Sequence, residues 1–179
     1  MTQVGINYGQ ALYDLAKDEN ITPQILQQLL SLQESFSAEP DFLRLLGAHN
    51  LPKEERCQIL DQSFRGKIHP YVLNFLKMLT EKGYTRYFSD CVKAFEQQYN
   101  FDNGILPVQV YTAVELSTQQ HEKLKQKLCE MTGKTVKLQT RIDPDCLGGV
   151  RLTYDGKQID DTVKTRLDTI AGLLKNTVL

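Results

Sequence analysis

The apolar residues of this chain change their spacing once, at Asn103-Gly104, and that change constrains the fold more than any other feature. Before it, nearly every segment repeats at helical period. Val4, Tyr8, Ala11, Leu12 and Leu15 form one stripe, and Ile25, Leu29, Leu32 and Phe36 form a second behind Thr22-Pro23, read as a capping residue and a first-turn proline. Phe42, Leu43, Leu45 and Leu46 mark a short third helix. A fourth starts near Pro52 with Cys57, Leu60 and Phe64 inward and stops at Gly66. A fifth starts at Pro70 with Val72, Phe75, Leu76 and Leu79 on one side and ends at Gly83, and Tyr84, Phe88, Cys91, Phe95 and Tyr99 step along a sixth. Short connections between six such helices predict a compact bundle over residues 1–104.

After Gly104 the period becomes two. Leu106, Val108, Val110, Thr112 and Val114 alternate with their neighbours as a half-buried strand does, and Pro107 places that strand at an edge or a strand end. Ser117 and Gln120 form a capping box for a helix with Leu124, Leu128 and Met131 on its face. Val136, Leu138, Thr140 and Ile142 predict a second strand, Val150, Leu152 and Tyr154 a third, and Asp155-Gly156 a tight turn. A last helix carries Val163, Leu167, Ile170 and Leu174, with Asp160, Asp161 and Thr162 at its start. The expected architecture is mainly α: a six-helix bundle, then a small α+β domain over residues 105–179.

With 41% hydrophobic residues in 179, the chain can build its cores without covalent staples. Cys57, Cys91, Cys129 and Cys146 include no C-x-x-C pair, so buried free thiols are expected rather than a zinc or redox site. No basic start leads into an apolar run, and no window approaches the roughly 18 apolar residues of a membrane span. Residues 1–104 hold 10 Lys and Arg against 13 Asp and Glu, which disfavours nucleic acid as a partner and leaves an RNA-binding helical module as the weaker alternative.

The stretch DCLGGVRLTYDGKQIDD, Asp145 to Asp161, is the best candidate for a ligand loop, and it fails each test. Gly148-Gly149 opens a strand, whereas a phosphate loop opens a helix and carries a lysine. A calcium loop begun at Asp143 would put Leu147 and Tyr154 where carboxyl or carboxamide ligands are required. His49, His69 and His121 stand apart from any nucleophile or metal-ligand partner. No cofactor, metal or catalytic group is expected. What remains is the apolar breadth of the first and fifth helices, which fits a buried core helix or a groove that accepts an amphipathic helix from another chain.

The run VKLQTRIDPDCLGGVRL from Val136, followed by YDGKQID and VKTRL, resembles the C-terminal signature of the ATP synthase delta subunit family, which includes the mitochondrial oligomycin-sensitivity-conferring protein. YGQALYDLA from Tyr8 and NFLKML from Asn74 are similar to that family's first and fifth helices. Cys146 stands where the family more often has an aliphatic residue, and Asp161 where it has a small one. The resemblance implies a noncatalytic peripheral stator subunit of the proton-translocating F-type ATP synthase, joining the catalytic alpha/beta head to the b-subunit stalk. It implies that residues 1–104 bind N-terminal segments of alpha subunits through Tyr8, Ala11, Leu12 and Leu15 on one helix and Val72, Phe75, Leu76 and Leu79 on the other. Residues 105–179 would then bind the stalk. Membrane association only through the complex, at the cytoplasmic face of a bacterial cell membrane, is the matching expectation, and the lack of an arginine-rich presequence suggests a bacterial protein or a processed chain.

Overall fold

The computed structural model of the chain describes residues 1–47, 51–146, 148–154 and 156–160. It is mainly helical, with a four-stranded sheet toward the C-terminal end, and it divides into two compact units, Met1–Tyr99 and Asn100–Leu179. The expected last helix, with Val163, Leu167, Ile170 and Leu174, lies outside the described residues, as does His49.

Six α-helices precede the first strand: α1 (Gln3–Asp18), α2 (Thr22–Ala38), α3 (Pro40–Gly47), α4 (Lys53–Phe64), α5 (Pro70–Glu81) and α6 (Phe88–Asp102). Their apolar stripes meet in one cluster that includes Leu12, Ile25, Leu29, Phe36, Leu60, Val72, Leu79, Val92 and Phe95. Two sequence expectations need correction. Thr22 does not cap α2; Ile21 occupies the cap position with no side-chain bond, so the proline supplies the start signal alone. Tyr84 lies ahead of the sixth helix, separated from it by a 3-10 turn at Thr85–Tyr87.

α1 is held by small residues. A Cβ on Gly9 would stand 2.4 Å from the Cys91 carbonyl oxygen of α6, and one on Gly5 would stand 2.4 Å from Asp90 Cβ. Only glycine lets the two backbones approach this closely, so Gly5 and Gly9 fix which way α1 turns its remaining faces. The helix start is secured at the same place. Thr2 Oγ1 accepts from Gly5 N while Thr2 N and Oγ1 both donate to Asp90 Oδ2, at 2.8 Å each.

The sheet runs β2 (Thr135–Ile142), β1 (Ile105–Thr112), β3 (Val150–Tyr154), β4 (Lys157–Asp160). β1 and β2 are parallel, which requires the crossover supplied by α7 (Thr118–Thr132), and β3 and β4 add antiparallel neighbours. The capping box is formed: Ser117 N donates to Gln120 Oε1 at 2.9 Å, and Gln120 N donates back to Ser117 Oγ. Leu128 packs with Leu106, Val108, Val110, Val136 and Leu152, whereas Met131 is 66% exposed and Val114, beyond the end of β1, is 72% exposed.

β1 lies inside the sheet, not at its edge, and its backbone explains how Pro107 is tolerated there. Gly104 O and Thr112 O both accept bonds from the β2 side, so by alternation the odd residues turn their backbone groups the other way. Among the described residues β3 pairs with Gln109 to Thr112, so Pro107 turns its missing N–H toward a stretch before that pairing begins. β4 was not expected from sequence. Asp160, read as part of a helix start, ends this strand opposite Arg151.

Candidate partner-binding groove

The described residues between Asp143 and Asp160 build turns and strands of the sheet. Asp143 pairs with Arg151, Pro144–Cys146 forms a 3-10 turn with Cys146 buried, and Gly149 takes φ 81° as the chain swings into β3. Among the described residues no cluster of His, Cys, Asp and Glu could hold a metal ion. Burial pushes the Cys91 thiol up to about 11, and burial followed by the Glu81 charge raises Cys57, which makes these two poor nucleophiles. His69 serves as the N-cap of α5, its Nδ1 accepting from Tyr71 N, and His121 lies beside Glu122 on the surface.

The feature that asks for an occupant is a cavity of about 370 Å³ between α1 and α5. The helices are antiparallel. Tyr71 OH donates to Glu19 at one end, and the Tyr8 and Tyr84 rings meet edge-on at 5.8 Å at the other. Tyr8, Ala11, Leu12 and Leu15 line one wall, all four as expected from the sequence, and Tyr71, Asn74, Phe75 and Met78 line the other. Of the expected fifth-helix residues only Phe75 is in the wall. Val72, Leu76 and Leu79 are 0%, 3% and 1% exposed in the bundle core. One residue along a helix is a rotation of about 100°, so the stripe at positions 71, 74 and 78 lies beside the core stripe and faces out of the bundle. Tyr71, Asn74 and Met78 were missed. Their signal was the apolar character of Tyr71 and Met78 outside the core stripe, which a single amphipathic face does not need.

Leu15 is 42% exposed and Met78 36%, so both can exchange water for an apolar surface. A second cavity, about 600 Å³, lies where Phe36, Phe42 and Phe64 converge under Leu45, with Glu39 and Asp41 at its rim. Neither cavity gathers an acid, a base and a nucleophile. Both suit side chains of another protein better than a reaction.

Residues 4–174 match the family described as ATP synthase delta (OSCP) subunit. The chain belongs to this family. It is 30% identical over 167 residues to the ATP synthase subunit delta of Alkaliphilus oremlandii, covering 93% of each chain. It is 32% identical over 172 residues to that of Enterococcus hirae, covering 96% of this chain and 95% of the relative. A chain in the cryo-EM structure of the Toxoplasma gondii mitochondrial ATP synthase hexamer shares the fold, with a TM-score of 0.76 at 20% identity over 97% of this chain and 98% of that one. The protein is thus a delta/OSCP-type stator subunit of an F-type ATP synthase. It is structural and not catalytic, and other subunits of the complex are its partners. No helix among the described residues is long and apolar enough to cross a membrane, and its association with the complex is peripheral.

Proposed function

We propose that the α1–α5 groove receives an N-terminal segment of an ATP synthase alpha subunit as an amphipathic helix. The six helices before β1 act as one bundle on the catalytic head, and the second unit joins the b-subunit stalk. The subunit then holds the head against rotor torque at the cytoplasmic face of the membrane, in an enzyme coupled to protons. The observation that carries this reading is the apolar cavity flanked by exposed Leu15 and Met78 in a protein whose family works by contact. A helix presenting apolar residues at i, i+3, i+4 and i+7 would match walls spaced the same way on both sides.

Ala11 is the short side chain over which such a helix can come close. Titration of the full-length chain with an alpha-subunit N-terminal peptide should show saturable binding with a gain of helical circular dichroism. Ala11→Trp should keep the parent's thermal transition and weaken that binding at least about tenfold, equivalent to roughly 1.4 kcal/mol. A folded Ala11→Trp variant with parental affinity would place the alpha-binding surface elsewhere.

A further inference from the structure

The groove is electrically polar along its length, and the geometry points to an occupant of matching polarity: a helix acidic in its first turn and basic in its last, lying parallel to α1. This deepens the groove reading above and rests on it. The apolar wall of α1 ends at Leu15, and the next positions on the same stripe, i+3 and i+4, are Asp18 and Glu19. Asp14 follows Ala11 at i+3. All three carboxylates are exposed, and Glu19 accepts from Tyr71 OH at the mouth of the groove. At the opposite end the wall residue Tyr8 begins a run of rings, Tyr8, Tyr84 and Tyr87, that follow one another at 5.8 and 5.9 Å. There the exposed Arg86 lies 4.6 Å over the Tyr87 ring.

The wall helices do not set this direction themselves. α1 and α5 are antiparallel, so their macrodipoles oppose one another beneath an occupant, and the side-chain charges decide. Lysine or arginine is favoured beside Asp14, Asp18 and Glu19, and a carboxylate beside Arg86. A stable amphipathic helix carries acids near its N-terminus and bases near its C-terminus to complement its own dipole. Laid in this groove, such a helix starts at Arg86 and finishes at Glu19. The reverse orientation places like charges together at both ends.

The two ends are separable in solution, since Tyr8 to Glu19 spans about 16 Å of helix rise. The full-length chain is titrated with two peptides that share the apolar stripe of the alpha-subunit N-terminal segment. One has Glu in the first turn and Lys in the last, and the other has these charges exchanged. Each carries a nitroxide at its N-terminus. The first peptide should bind roughly fivefold more tightly at low ionic strength, with the advantage lost near 1 M salt, where the screening length is about 3 Å. Its nitroxide should broaden the amide signals of Tyr84 and Tyr87 and spare those of Glu19 and Tyr71. An Asp14→Asn, Asp18→Asn double variant should fold as the parent does and close most of the affinity gap. Equal affinities, or broadening at Glu19 and Tyr71 by the first peptide, would overturn the polarity while leaving the groove in place. If neither peptide perturbs Ala11 or Met78, the groove reading falls and the polarity with it.

Discussion

The inner and outer faces of the α1 and α5 pair are built from adjacent residues of the same two helices, and they obey different rules. Inward, Gly5 and Gly9 press against α6, and Val72, Leu76 and Leu79 are closed in the core. Outward, Ala11, Leu15, Asn74 and Met78 leave a furrow that nothing in the chain's described residues fills. The inner face is specified by volume, because a filled core tolerates neither a void nor an excess atom. The outer face is specified by what it will accept. The docking proposed above would use both: a body stiff enough to bear load, and a surface left open for another subunit.

The sharpest way to break this contrast is to make one change on each face of α5. Leu76→Asp buries a carboxylate with no partner and should cost about 3 to 5 kcal/mol of stability, read as loss of the cooperative thermal transition. Met78→Asp, two residues on, can keep its charge in water and should leave the transition within about 0.5 kcal/mol of the parent while reducing peptide binding. Equal destabilisation by the two variants would mean that Met78 belongs to the core and that the groove is closed in solution.

On α1 the corresponding test is Gly9→Val. Its Cβ would meet the backbone of Cys91 at 2.4 Å and Ala94 Cβ at 2.8 Å, and neither can swing aside as a flexible side chain would. Overpacking of this kind costs about 1 to 3 kcal/mol by chemical denaturation. Because α1 must also move away from α6, the variant should weaken peptide binding although Gly9 does not line the groove. Loss of stability with parental peptide affinity would show that the two faces are mechanically independent.

How much of this was legible in the sequence depended on how many faces of a segment were apolar. α1 has polar residues between its stripes, and the four residues the sequence singles out on it all line the cavity. α5 offers Tyr71, Val72, Leu73, Phe75, Leu76, Met78 and Leu79, so its period cannot say which stripe faces inward, and the choice falls to the neighbouring helices. The same limit applies to the sheet. β1 was plain from its alternation, but Lys157 to Asp160 has a single apolar residue, Ile159, and gains its strand conformation from pairing with β3. Pro107 pointed to an edge or a strand end because the sequence does not reveal that β1 has β2 on one side and β3 on the other. The cap of α2 was misplaced because Thr22 and Pro23 are each compatible with two adjacent positions, and only backbone angles separate them.

The smallest expected effect concerns the fastening of the inner face to α6 at the start of α1. Asp90 accepts from Thr2 N and from Thr2 Oγ1, and these bonds, the backbone one foremost, hold its carboxyl below the ordinary carboxylate value. A carboxyl whose value is depressed in the folded state contributes stability above its unfolded value, and that contribution disappears as pH falls through the folded one. Asp90→Asn should therefore lower the thermal midpoint slightly at neutral pH and approach the parent as the solution is taken from about pH 5 to about pH 2. Because Asp90 is no more than half-buried, the difference should be small and fraying should be confined to the first turn of α1. Hydrogen exchange at Gly5 and Ile6 is the sensitive readout, since Gly5 N donates to Thr2 Oγ1 and Ile6 N to Thr2 O. Faster exchange there, with unchanged protection at Leu12 and Leu76, would confine the fastening to the helix start. Faster exchange reaching Leu12 would instead make Asp90 part of what holds the whole inner face together.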